Sequence, residues 1–142
     1  MPRLRLSARM DRLAEARAFV LDSARDMGLA EAVINRVELV LEEALVNVIR
    51  HAYRGGPGEV ELNCSLAPGP GGRERFLVEI RDGGPSFDPN QGPPPDLECS
   101  LEERRIGGLG IHLMRTMTDE LTWTRQEPHN VLRLGFDRIK SD

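Results

Sequence analysis

From about Ala30 to Ala52, apolar residues recur at three- and four-residue spacing: Val33, Val37, Val40, Leu41, Ala44 and Val48. On a helix this spacing makes one continuous apolar stripe, about six turns long. A helix of this kind draws its stability from covering the stripe, so the rest of the chain must supply a surface for it. Two polar residues in the second half are spaced for joint work. Glu43 and Asn47 stand four apart and stack on one face, one turn from each other, with His51 a further turn along. A carboxamide oxygen is a hard neutral ligand for Mg²⁺, and a carboxylate beside it can order a water or take a proton. Both residues are equally satisfied facing solvent, and the helix alone leaves the two readings open.

The covering surface is legible on either side of this helix. Gly55, Gly56, Pro57 and Gly58 end it and start a turn. Val60, Leu62, Cys64 and Leu66 then alternate with polar residues, the period of a half-buried strand. A loop at Pro68 to Gly72 leads to a second strand, with Phe76, Val78 and Ile80 alternating, paired antiparallel to the first. Upstream, Arg3 to Leu6 reads as a short edge strand. Ser7 reads as an N-cap, or a neighbour of one, for a first helix from about Arg9 to Met27, with Met10, Leu13, Val20, Leu21 and Ala24 on its stripe and Gly28 as its stop. Downstream, Asn90 to Arg105 forms a long Pro- and Gly-rich loop. Gly107, Gly108, Leu109 and Gly110 then open a helix through Met117. Leu121 to Thr124 and Val131 to Phe136 make the last strands, joined by a turn at Glu127 to Asn130. Runs of strands with helices gathered between them predict an α+β fold, with helices on one face of a mostly antiparallel sheet. The other face is then solvated or covered by a partner.

A chain of 142 residues is expected to form one domain, residues 1–142. A formal net charge of −4 argues against a broad nucleic-acid footprint. No apolar run approaches the ~20 residues of a membrane helix, and the opening MPRLRLSARM lacks the apolar segment of a signal peptide. Cys64 and Cys99 have no metal-ligand spacing. A cytoplasmic protein with free thiols is the expectation.

Two loops carry further chemistry. A carboxylate at a strand end, such as Asp82, can accept a hydrogen bond from an exocyclic amine like that of adenine, and Gly84 lets a flat ring approach the backbone. Gly108 and Gly110 at a helix start expose N–H groups where the helix dipole is positive, which suits phosphates. Each motif alone is a common turn. Neither a P-loop nor a dinucleotide fingerprint is present.

In conjunction the motifs resemble a known group. Residues 42–53, GluGluAlaLeuValAsnValIleArgHisAlaTyr, then SerPheAspPro at 86–89, then GlyGlyLeuGlyIleHisLeuMet at 107–114, appear in fixed order. The chain is similar over nearly its whole length to the GHKL ATPase superfamily, which includes histidine-kinase catalytic domains, type II topoisomerase subunits and MutL-type repair proteins. Within it, the chain most resembles the small bacterial anti-sigma-factor serine/threonine kinases. That resemblance implies a two-layer α/β sandwich, the Bergerat ATP-binding fold, with a mixed, mostly antiparallel sheet.

The resemblance also implies the site. Asn47 would coordinate the Mg²⁺ bridging the ATP phosphates. Glu43 would be the general base; Glu42 is the rival carboxylate, about 100° round the helix. Asp82 would read the adenine amine, with Gly84 beside the ring. Gly108, Leu109 and Gly110 would bind phosphate, and residues 90–105 would form the ATP lid. On charge alone, either Arg104 or Arg105 at the lid's end would neutralise γ-phosphate charge, or both are solvated lid residues. The lid's Gly-Pro-Pro-Pro at 92–95, and Ile106 where many relatives have glycine, depart from the family pattern. The implied activity is phosphorylation of a small anti-anti-sigma-like protein on Ser or Thr. A sigma factor or a second copy would bind at the apolar positions of the first helix or at the outer sheet face. Two alternatives stand beside it: a nucleotide-dependent sequestering module without turnover, and an ATP hydrolase.

Overall fold

A computed structural model describes residues 2–53, 57–85 and 113–138. The chain begins with strand β1 (Arg3–Ser7), makes a 3-10 turn at Met10–Arg12 and enters helix α1 (Leu13–Asp26), followed by helix α2 (Glu31–His51). Strands β2 (Glu59–Pro68) and β3 (Glu74–Asp82) form a hairpin. Residues 113–117 are helical, and β4 (Glu120–Gln126) and β5 (His129–Asp137) form a second hairpin.

The first helix starts later than its sequence suggests. Ser7 closes β1 instead of capping a helix, and Arg12 stands at the N-cap of α1 with no side-chain cap. The intervening turn is tied by Arg9, whose Nη2 lies 2.6 Å from Asp11 Oδ2. Met10 therefore falls outside α1 and is about half exposed. The stop at Gly28 is as expected and has a clear mechanism. Gly28 has φ +78°, its N–H donates to Arg25 O at 3.0 Å, and the Leu29 N–H donates to Ala24 O at 3.1 Å. These are the two bonds of a Schellman motif, which only a residue tolerant of positive φ completes without strain.

The sheet order is β1-β2-β3-β5-β4, and all four neighbouring pairs are antiparallel. The sheet is thus antiparallel throughout the described residues, with no parallel pair to make it mixed. Its inner face carries Val60, Leu62 and Cys64 from β2, Phe76, Val78 and Ile80 from β3, and Leu132, Leu134 and Phe136 from β5. Val33, Val37, Val40, Leu41 and Ala44 of α2 cover these residues, as the stripe requires. The apolar side of α1, Ala16, Val20, Leu21 and Ala24, is buried in the same core. Of the apolar positions expected to be open to a partner, Val20, Leu21 and Ala24 are therefore closed, while Met10 is not.

The outer face is ionic. Arg75 Nε lies 2.9 Å from Asp137 Oδ1 and its Nη1 3.3 Å from Glu120 Oε1, while Arg133 Nε lies 2.9 Å from Glu120 Oε2. The more exposed pair, Arg133 with Glu120, contributes little to stability on its own.

Cys64 is a free thiol with no exposed surface. Burial pushes its pKa from 9.0 up to about 11, against a weaker opposing hydrogen bond with Ser23. The folded thiol keeps its proton at pH values where the unfolded one has lost it. The stability this provides is therefore complete below the unfolded pKa and lost as pH rises from about 9 to about 11, roughly 2–3 kcal/mol in all. Urea unfolding at pH 8 and pH 10.5 should show a steeper alkaline loss in the wild type than in Cys64→Ala. Parallel losses in the two proteins would remove this account.

Candidate functional site

The core stripe of β3 ends on a carboxylate. Phe76, Val78, Ile80 and Asp82 alternate on one face of the strand, so Asp82 points into the layer between sheet and helices, at its rim. It is 6% exposed. Two donors reach the same oxygen: Gly84 N–H at 2.9 Å and Asn130 Nδ2 at 3.0 Å, both to Oδ1. No hydrogen bond to Oδ2 occurs among the described residues.

Asn130, which the sequence places in a turn, completes the site. It lies inside β5, directly opposite Asp82 in the register. Period two carries the signal: stepping back from Phe136, Leu134 and Leu132 reaches Asn130 on the buried face. Its Nδ2 also lies 2.8 Å from Pro85 O.

The loop after Asp82 is held from three further directions. Tyr53, just beyond α2, donates its hydroxyl hydrogen to Glu59 O at 2.6 Å and accepts the Gly83 N–H at 2.7 Å. Arg125 on β4 donates from Nη1 to Gly84 O at 2.7 Å, while its Nε and Nη2 engage Glu127 at 3.0 and 3.2 Å. Gly84 itself sits against the Ala52 backbone, and a Cβ there would collide with the Ala52 carbonyl. Glycine at 84 is thus required by close packing on the end of α2, independently of any ligand. The same contacts join the Asp82 loop to the helix that carries Glu43 and Asn47.

Glu43 and Asn47 are both half-buried on α2, whereas Glu42 is exposed. Neither Glu43 nor Asn47 forms a side-chain hydrogen bond with another described residue. Glu43 and Asn47 offer a carboxylate and a carboxamide on one face of α2, and Asp82 offers a carboxylate at the rim of the layer beneath it. No cluster of three or more His, Cys, Asp or Glu occurs among the described residues. A cation there would lean on Asn47 and on the ligand's own oxygens, as Mg²⁺ commonly does with phosphates. Arg105, Gly108, Leu109 and Gly110, with residues 90–105, lie outside the described residues.

A family profile described as the histidine kinase-like ATPase domain matches residues 6–136. The chain belongs to that family, which bears out the resemblance read from its motifs. It is 27% identical over 146 residues to the serine-protein kinase RsbW of Bacillus cereus (strain Q1), covering 98% of this chain and 88% of that protein. RsbW of Bacillus anthracis (strain CDC 684 / NRRL 3495) matches at the same identity and coverage. Among solved structures, the RsbU and RsbW domains of Rv1364c from Mycobacterium tuberculosis align with a TM-score of 0.59 and 14% identity, over 96% of this chain. This chain spans only 32% of that one. The SiaB–SiaC complex of Pseudomonas aeruginosa aligns with a TM-score of 0.50 and 14% identity, over 94% of this chain and 89% of that one. The two structures share the fold, an α+β sandwich with an antiparallel sheet. Among the described residues, no helix is long and apolar enough to cross a membrane.

Proposed function

We propose that this protein is an ATP-dependent protein serine/threonine kinase of the anti-sigma type. The observation that carries the reading is a buried carboxylate, Asp82, fixed at Oδ1 and tied through its loop to the helix bearing Glu43 and Asn47. In this reading residues 1–142 act as one cytoplasmic unit, with residues 90–105 as the lid over the nucleotide.

Asp82 accepts a hydrogen bond from the adenine amine. Asn47 presents its amide oxygen to Mg²⁺, which when bound neutralises charge on the ATP phosphates. Gly108, Leu109 and Gly110 supply backbone N–H donors to the phosphates, and Arg105 adds positive charge at the γ-phosphate. Glu43 takes the proton of a Ser or Thr hydroxyl on a separate protein. The hydroxyl oxygen bonds to the γ-phosphorus, and the bond from that phosphorus to the ADP oxygen breaks. Positioning and charge stabilisation carry most of the catalysis in such transfers. The acceptor is a small anti-anti-sigma-like protein, and the regulated partner is a sigma factor. The outer sheet face remains open for a second copy.

One observation supports the partner class: the similarity to serine-protein kinases named RsbW. The test is direct. Purified protein with Mg-ATP and a candidate acceptor should yield phosphoserine or phosphothreonine on the acceptor. Binding of the acceptor without any transfer would favour the sequestering reading, and phosphate release without an acceptor would favour a hydrolase.

A further inference from the structure

Asp82 can discriminate between bases only if its carboxylate is held in one orientation, and the group that holds it comes from β5, distant in sequence but paired directly with β3. Asn130 Nδ2 lies 3.0 Å from Asp82 Oδ1, 2.8 Å from Pro85 O and 3.4 Å from Gly84 O. Only the nitrogen end of a carboxamide donates, so three oxygen neighbours fix which end of Asn130 faces Asp82. The two shorter bonds use both of its protons. Asn130 is 3% exposed, so water cannot readily replace these bonds. With the Gly84 N–H also on Oδ1, that oxygen is occupied. Oδ2 is the acceptor left for a ligand.

We infer that Asn130 is a positioning residue that gives the site its preference for a purine with an amino group at C6 over one with a carbonyl there. The inference rests on the nucleotide reading above and deepens it. An ionised Asp82 offers lone pairs only, so a C6 carbonyl meets it oxygen to oxygen. Asn130 cannot relieve that clash, because turning an N–H toward the base breaks its bonds to Asp82 and Pro85. A 6-oxopurine does carry a donor at N1, one ring atom away. A carboxylate free to turn accepts that donor, and one pinned at Oδ1 does not follow it. Asn130 thus rejects the 6-oxopurine by denying Asp82 its second orientation.

Inosine triphosphate differs from ATP at C6 and N1 alone, which makes the pair a clean probe. Calorimetric dissociation constants for both should be measured on wild type, Asn130→Ala and Asn130→Ser, with circular dichroism as the check on folding. Wild type should bind ATP about 30-fold tighter than inosine triphosphate, in line with the worth of one charged hydrogen bond. Asn130→Ala should lower that ratio about tenfold, and Asn130→Ser, which keeps one donor, should fall between. An unchanged ratio in Asn130→Ala, even with both affinities weakened, reduces Asn130 to a structural role and overturns the inference. Should Asn130→Ala not fold, the ratio in Asn130→Ser decides in the same way. Equal affinities in wild type overturn the inference while leaving nucleotide binding intact. Failure of wild type to bind either nucleotide removes the nucleotide reading, and the inference with it.

Discussion

Glu43→Gln should lower phosphate transfer to the acceptor protein by about 10²–10⁴-fold, the range expected for loss of a general base. Glutamine keeps the length and shape of the side chain but cannot take a proton at neutral pH. ATP affinity should stay within about threefold of wild type, because Glu43 acts on the acceptor hydroxyl and the nucleotide is held elsewhere. Glu42→Gln is the matched control. Glu42 is exposed and lies about 100° round α2 from Glu43, so it faces away from the Asn47 side. Its substitution should change the transfer rate by less than about threefold. Initial rates with saturating ATP, read as phosphorylated acceptor per minute, decide the matter. A large loss in Glu42→Gln with none in Glu43→Gln would exchange the two roles. Loss of ATP affinity in Glu43→Gln would make that residue part of nucleotide binding instead.

Phe76→Ala should cost about 3–5 kcal/mol of folding stability. Phe76 on β3 and Phe136 on β5 are cross-strand partners, and both are fully buried. Removing one ring loses its transfer free energy and leaves a cavity between two central strands, where the backbone is held by ladders on both sides and cannot collapse freely. Against a typical total of about 5–15 kcal/mol, this is a large fraction. Thermal unfolding should therefore move down by roughly 10–20 °C. Phe76 lies six residues from Asp82, roughly 20 Å along the strand. Below its lowered melting point, the variant should still bind nucleotide at near-normal affinity. A stability loss under about 1 kcal/mol would mean that the β3–β5 packing is looser than described.

Local periodicity made most of the fold readable. The stripe of α2 and the alternation in β2, β3 and β5 appear where the residues place them, because both patterns report a face buried by neighbours. The start of the first helix differs because Ser7 resembles a cap, while pairing with Glu59 of β2 keeps it in the sheet. The carboxylate of Asp82 was legible from its glycine turn. Its partner was not. Pro128 and Asn130 are turn-forming residues, and local chemistry outweighed the two-residue period that extends β5 back to Asn130. The significance of Asn130 also depends on β5 pairing with β3, a contact between positions 48 residues apart that no local pattern announces. Gly84 shows the converse. In the sequence its missing side chain suggests room for a ligand, while the structure adds a collision with Ala52 that would require glycine in any case.

The most direct test of the central claim is calorimetric titration of Mg-ATP into wild type, Asp82→Asn and Asn47→Ala, each shown to be folded. Wild type should bind saturably. Affinity should fall about 10–100-fold in Asp82→Asn, where a charged acceptor is lost, and binding to Asn47→Ala should no longer strengthen when Mg²⁺ is added. Absence of binding to wild type, or wild-type affinity in Asp82→Asn, would contradict that claim.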